Sequence, residues 1–479
     1  MTVPPAGLSA RLRGPSARLH GRAAWWRGLA VRLRGLSRGH RLAIAVGLCL
    51  LLVLAGFGLS RQSQPGPAGN ATDAGPPQPA EVAAVLQLLG RHASALTSRD
   101  QTSWSDDLDE AAAAADYRNR QLAVFGNLAG VPLTTWRYVL VAPVTDSSVI
   151  GPAATRLGGR VVLLHLNLQY ALALVDPAPT EQGLWLTAVH RPGGWRLAAD
   201  TDAAQSGGPS WRGPWDFGPL IARAGPHTLV LAHPAHAADE TTFANLVERS
   251  VPVVNGVWGT GWNDRVAVLI PDTPAEFAAV TDTSATTDET DIAAVAVADA
   301  VHPDLSGNGD GTVLGARIVL NPTNLARLDP AGRRLVVQHE LTHIATRAAT
   351  VDAMPTWLIE GFADYVGNLG SSQPVPVAAR ELAAEVRRGA VPDALPTDAD
   401  FAGSNGRLAQ VYEQAWLACR LIARRYGQPA LVRLYRQVAA AARLDPATAA
   451  ATGLNQVLHL SLPSFTRAWR ADLVRELAG

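Results

Sequence analysis

An α+β fold is predicted by three features of this 479-residue chain. Apolar runs of strand length recur between residues 134 and 199, and again between 228 and 320. From Asn321 onward the apolar spacing becomes helical almost without interruption. Near the start, residues 42–60 form one uncharged, mostly apolar run that fits neither pattern. The chain therefore divides into an N-terminal transmembrane helix, a first α+β unit, and a second unit with a small mixed sheet and a mostly helical C-terminal subdomain.

Residues 1–41 hold nine arginines and no acid, and read as a basic cytoplasmic tail. Residues 42–60, at 1.5 Å each, reach about 28 Å as a helix, enough to cross a hydrocarbon core. The positive flank places the N-terminus in the cytoplasm and the remainder outside the cell membrane, a single-pass topology. A cleaved signal peptide is the rival reading. The long arginine-rich lead and the lack of a clear A-x-A site disfavour it, and Leu48 before Cys49 argues against a lipoprotein signal. The chain is formally neutral overall, so the basic tail leaves the remainder nine charges negative. Its basic residues thus concern membrane topology, and no nucleic-acid partner is expected. The chain has no lysine and is rich in Ala, Arg and Gly, a coding bias that lowers the weight of any single arginine. Its two cysteines, Cys49 and Cys419, fall in different segments, so no structural disulfide is expected. Residues 61–80, rich in Pro and Gly, form a flexible linker, and the sequon Asn70-Ala71-Thr72 within it is short enough to be coincidence.

Residues 81–205 form the first globular unit. Helical stretches at 81–96 and 108–121 precede strands at 134–141, 160–172, 184–191 and 195–199, with a Gly193-Gly194 hairpin turn between the last two. That order resembles the nuclear-transport-factor-like (SnoaL-like) cone, which implies a pocket. No acid–base constellation marks one here, and His165 and His190 read as packed or surface histidines. The second unit, 215–479, has strands at 228–232, 266–270, 292–298 and 316–320, with helices at 240–251 and 274–279 between them. Residues 304–312 faintly suggest a calcium loop but lack the completing glutamate, so a hairpin turn is expected.

The segment that carries chemistry is His339-Glu340-Leu341-Thr342-His343. Histidines at i and i+4 share one helix face and can meet one ion. Glu340 points about 100° around the helix from His339, beside such an ion, where it can take a proton from a water. This H-E-x-x-H pattern is a zinc-site signature. Apolar Val336, Val337, Leu341, Ile344 and Ala345 flank it at helical spacing. The plain alternative is a core helix whose histidines hydrogen-bond to neighbours. Downstream, Pro355 can start a helix whose apolar face holds Trp357, Leu358, Phe362 and Tyr365. Glu360 then sits among residues bound for burial, and a buried carboxylate needs a cation or protons. Asp364, one turn later, can accept the free ring N–H of a ligand histidine.

His339 to His343 followed by Trp357-Leu358-Ile359-Glu360-Gly361-Phe362-Ala363 resembles the gluzincin branch of HExxH metallopeptidases. The likeness is to the peptidase MA-like domains and, more distantly, to aminopeptidase-N and thermolysin-like enzymes. It implies a zincin-like domain binding one Zn2+ per chain through His339, His343 and Glu360. The metzincin pattern fails, since its third histidine would fall on Ala349. Val411-Tyr412-Glu413-Gln414-Ala415 is similar to the helix start at which these enzymes place an oxyanion-binding tyrosine. Tyr412 is the matching residue; the alternative is a core tyrosine. Aminopeptidases also carry an amine-anchoring glutamate on the edge strand before the metal helix. The matching stretch here is expected at residues 315–321, which hold no acid, so cleavage within a chain is favoured over removal of an N-terminal residue.

The expected function is that of a membrane-anchored, extracytoplasmic zinc peptidase acting on peptide or protein substrates. Its catalytic residues are Glu340 and Tyr412. The alternative is a cell-surface sensor or scaffold with a structural or vestigial zinc site and a ligand-binding first unit. Structural zinc sites take four protein ligands, and no fourth is evident near this one.

Overall fold

The computed structural model describes residues 75–281, 293–298, 300–302, 311–325, 327–402, 406–441 and 445–478. The expected anchor at 42–60 and the turn at 304–310 lie outside them. Among the described residues no helix is long and apolar enough to cross a membrane.

The first unit opens with α1 (Pro79–Thr97), which buries Val85, Leu88, Leu89 and Leu96 along one face. Next come α2 (Gln101–Asp106), α3 (Ala115–Asn127), β1 (Leu133–Pro143), α4 (Ser147–Leu157), β2 (Val161–Leu172), β3 (Thr180–Arg191) and β4 (Gly194–Ala199). The strands form one antiparallel sheet in the order β1-β2-β3-β4. Gly194, at φ 107°, turns the last hairpin in a conformation that disfavours side chains. Two of these helices are not predicted by apolar spacing. Pro152 hides α4, yet Asp146 caps its start by accepting from the Ser148 N–H at 2.8 Å, and left-handed Gly158 ends it. The other is α2, which is only six residues long. His165 stacks on Trp185 at 4.1 Å and His190 meets Trp195 edge-on, so both are packing histidines.

The second unit begins with β5 (Ile221–Ala224), β6 (Thr228–Ala232), α5 (Ala237–Trp258), β7 (Val266–Ile270) and α6 (Pro274–Thr281). After β8 (Ala294–Val297), the pair β9 (Ala300–His302) and β10 (Thr312–Leu314), and β11 (Arg317–Leu320), the chain turns helical. The helices that matter here are α7 (Pro322–Leu325), α8 (Pro330–Thr346), α9 (Thr356–Gly367), α10 (Val375–Ala378), α11 (Arg380–Arg387), α12 (Asp398–Ala402), α13 (Leu408–Tyr426) and α14 (Gln428–Ala440). The sheet order is β5-β6-β7-β11-β8, with β6, β7 and β11 parallel and an antiparallel strand on each flank.

This order corrects one expectation. Residues 317–320 are not the edge strand: β11 is inserted between β7 and β8, and the edge is Ala294–Val297. Ile318 and Val319 are fully buried because both sheet faces are covered, which is why the run reads as continuously apolar.

Strand alternation then splits the sheet between two cores. Val230, Ala232, Val268, Ile318 and Leu320 face α5, α8 and the helical subdomain. Leu229, Leu231, Leu269, Val319 and Val295 face the first unit and belong to its core. An ion pair fastens the junction: Asp176 after β2 holds Arg317 of β11 through two bonds, 2.6 and 2.7 Å, both side chains buried. Trp215, at the same seam, packs edge-on against Trp136 and Tyr170. The first unit thus serves as the back layer of the sheet whose front layer carries α8.

Candidate metal centre

Local chemistry explains why α8 starts where it does. Asp329 accepts the Gly332 N–H at 2.7 Å and Pro330 takes the first helical position. From Val336 to Thr346 every side chain is buried, the two histidines and Glu340 included. Two polar residues fix how α8 lies on α9. Gln338 donates to the Val366 carbonyl at 2.8 Å, and Arg334 donates to the Leu369 carbonyl at 2.7 Å. These bonds tie side chains of α8 to carbonyls at the end of α9, and they lock the helices in one register.

Helix α9 is held from its other side by α13. A Cβ on Gly361 would lie 2.3 Å from the Ala415 carbonyl oxygen and 3.0 Å from the Cys419 sulfur. Only glycine permits that approach, and it follows Glu360 directly.

In this register three donor atoms converge. His339 Nε2 and His343 Nε2 are 2.9 Å apart, and Glu360 Oε2 lies 3.5 and 3.4 Å from them. Two zinc ligands at bond lengths of about 2.0–2.1 Å in tetrahedral geometry stand about 3.3 Å apart, so the triangle fits such an ion. Glu360 Oε2 is buried and accepts no hydrogen bond, as is Glu340 Oε2. A cation answers the first of these, because a buried carboxylate oxygen without a partner is costly. Among the described residues this is the one group of three that could hold a metal ion.

Asp364 Oδ1 accepts from His339 Nδ1 at 2.7 Å, which leaves Nε2 free to face the ion. Glu340, next along α8, accepts the backbone N–H of Ala296 on edge strand β8. That contact brings the sheet edge directly over the site. Tyr412, in the second turn of α13, is buried edge-on against Phe401. It lines a cavity of about 140 Å³ whose wall also includes Asp364.

Electrostatics follow from this crowding. Burial disfavours a charged His339, but Asp364 and Glu360 outweigh it and hold its pKa well above the ordinary value. Burial likewise pushes Glu360 up, yet the facing imidazoles prevail and hold it at about 2. Glu340 is raised by burial, with His339 and His343 offsetting only part. Asp364 is raised by burial as well, against the pull of His339. A divalent ion bound here would take the place of the His339 proton.

The elements that organise the site but that apolar patterning does not reveal are Gln338, Arg334 and the Ala296 N–H. A polar pair four residues apart, and so on one face of the helix, is the available signal for the first two.

No family model and no curated protein matches the chain. Among solved structures, an M1 zinc metallopeptidase from Deinococcus radiodurans is similar over 59% of this chain, at 16% identity and a TM-score of 0.32. The match spans 58% of that structure's chain, less than two thirds of its length.

Proposed function

We propose that the chain is a zinc-dependent peptidase that binds one Zn2+ through His339, His343 and Glu360. The observation that carries this reading is the convergence of three buried donor atoms beside a carboxylate, Glu340, that is not one of them. Zinc bound there supplies a Lewis acid that polarises a peptide carbonyl and makes a water acidic enough to attack it.

The chain's own residues do the rest. Glu340 takes a proton from the attacking water as its oxygen bonds to the carbonyl carbon, then delivers that proton to the amine as the C–N bond breaks. Asp364 keeps His339 in one tautomer. Tyr412 donates its phenolic hydrogen to the oxyanion. Strand β8 adds the substrate backbone to the sheet through the edge that no strand among the described residues covers. We place the enzyme on the outer face of the membrane, anchored by residues 42–60.

The deciding experiment measures zinc content and peptide-library cleavage for the full chain and two variants. Glu340→Ala should keep one zinc and lose about 10²- to 10⁴-fold in turnover. His339→Ala should lose both. A Glu340→Ala protein that cleaves at the wild-type rate would overturn the mechanism. Zinc without cleavage in the wild type would favour a sensor.

A further inference from the structure

Arg347 stands four residues beyond His343, and so on the same stripe of α8. It is half-buried and lines a narrow recess with His343 and with Ala296, Val297 and Ala298 of the sheet edge. Other arginines of α8 and of the sheet are engaged. Arg333 holds Asp239 at 2.9 Å, Arg334 reaches the end of α9, and Arg317 is paired with Asp176. Among the described residues, by contrast, the Arg347 guanidinium makes no hydrogen bond or ion pair, and burial lowers its pKa with Asp352 offsetting only part. A guanidinium has five donors in a fork that matches a carboxylate, and holding one half-buried without a partner is unfavourable.

Geometry says where its partner would come from. Arg347 lies about 6 Å along the helix axis from His343. An extended peptide covers that distance in about two residues. A peptide added to the outer edge of β8, which no strand among the described residues covers, runs past Ala296 to Ala298, and therefore past this recess.

We propose that Arg347 anchors a carboxylate of the substrate, so that the site selects peptides carrying a negative charge about two residues from the bond that is cut. The inference rests on the peptidase reading above and deepens it with a substrate class. The carboxylate comes either from an Asp or Glu side chain or from the substrate's own C-terminus.

The test uses the full zinc-loaded chain and matched peptides of one sequence. One pair has Glu or Gln two residues from the cleaved bond, on each side in turn; the other ends in a free carboxylate or an amide. Binding is measured on Glu340→Ala protein with and without Arg347→Met, and cleavage on the single Arg347→Met and Arg347→Lys variants. Arg347→Met should weaken binding and raise KM roughly 10- to 100-fold for the charged peptide alone, with kcat little changed. Arg347→Lys, which keeps the charge but not the fork, should fall between. The pair that loses discrimination identifies the source of the carboxylate. Unchanged zinc content shows that the variants are folded. Equal effects on charged and neutral peptides, in binding and in KM, would overturn the anchor. Charge discrimination in binding without cleavage by the wild type would keep the anchor and sink the peptidase reading instead.

Discussion

Two buried histidine–carboxylate clusters among the described residues of the second unit differ in what they leave over. At the first, His233 Nδ1 bonds to the Pro219 carbonyl at 3.0 Å and Nε2 faces both oxygens of Glu276 at 2.9 and 3.0 Å. Glu276 also accepts the Asp272 N–H at 2.9 Å, so the group closes on itself. At the second, His339, His343 and Glu360 turn donor atoms toward a common point, and buried oxygens of Glu360 and Glu340 stay without partners. Both clusters are buried to a similar degree. Burial of charge therefore does not mark a ligand site; unspent hydrogen-bonding capacity that converges does.

The largest expected effect that separates them is on stability. His233→Ala leaves the Glu276 carboxylate buried without the ring that faces both its oxygens and should cost about 3–5 kcal/mol in urea denaturation, with zinc content unchanged. Loss of zinc in that variant would mean the clusters are coupled. A smaller effect is expected at the other cluster. Asp364→Asn keeps an acceptor for His339 but removes the charge, and should weaken metal affinity about 10- to 100-fold in chelator competition.

The smallest effect is a slope with pH. Hydrogen bonding to Glu276 raises the His233 pKa above its ordinary value. The folded state thus holds that proton more tightly than the unfolded chain does. The stability it contributes is full below about pH 6.5 and fades as pH rises through the raised folded value. In chelator, wild type should show this slope in its denaturation midpoint and His233→Ala should not. A slope identical in both would assign the pH dependence elsewhere.

Much of the second cluster is legible in the order of amino acids alone. The i, i+4 spacing puts His339 and His343 on one face whatever surrounds the helix, because 3.6 residues make a turn. Glu360 and Asp364 stand out as acids on a helix whose other residues are mostly apolar. The strands at 228–232 and 266–270 coincide with β6 and β7, since runs of five buried residues, almost all apolar, leave little alternative. Harder to read are elements whose cause lies elsewhere in the chain. Helix α4 forms across Pro152 because its ends are capped, and β5, with a mostly solvated pattern, forms because β6 is beside it.

The order of strands is beyond the reach of local pattern for the same reason. β11 and β8 carry similar short apolar sequences, and which is central depends on pairing free energy that neither encodes alone. That choice brings Ala296 over Glu340, and sets Arg347 against the sheet edge.

The sequence by itself determined the helix periods, the identity of the metal-type side chains and the fact that they would be buried, since these follow from local geometry and apolar patterning. Only the tertiary structure decided which atoms meet. The α8–α9 register set by Gln338 and Arg334, the close approach at Gly361, and the first unit backing the sheet all join residues far apart in the chain. Their positions depend on packing that no local pattern specifies.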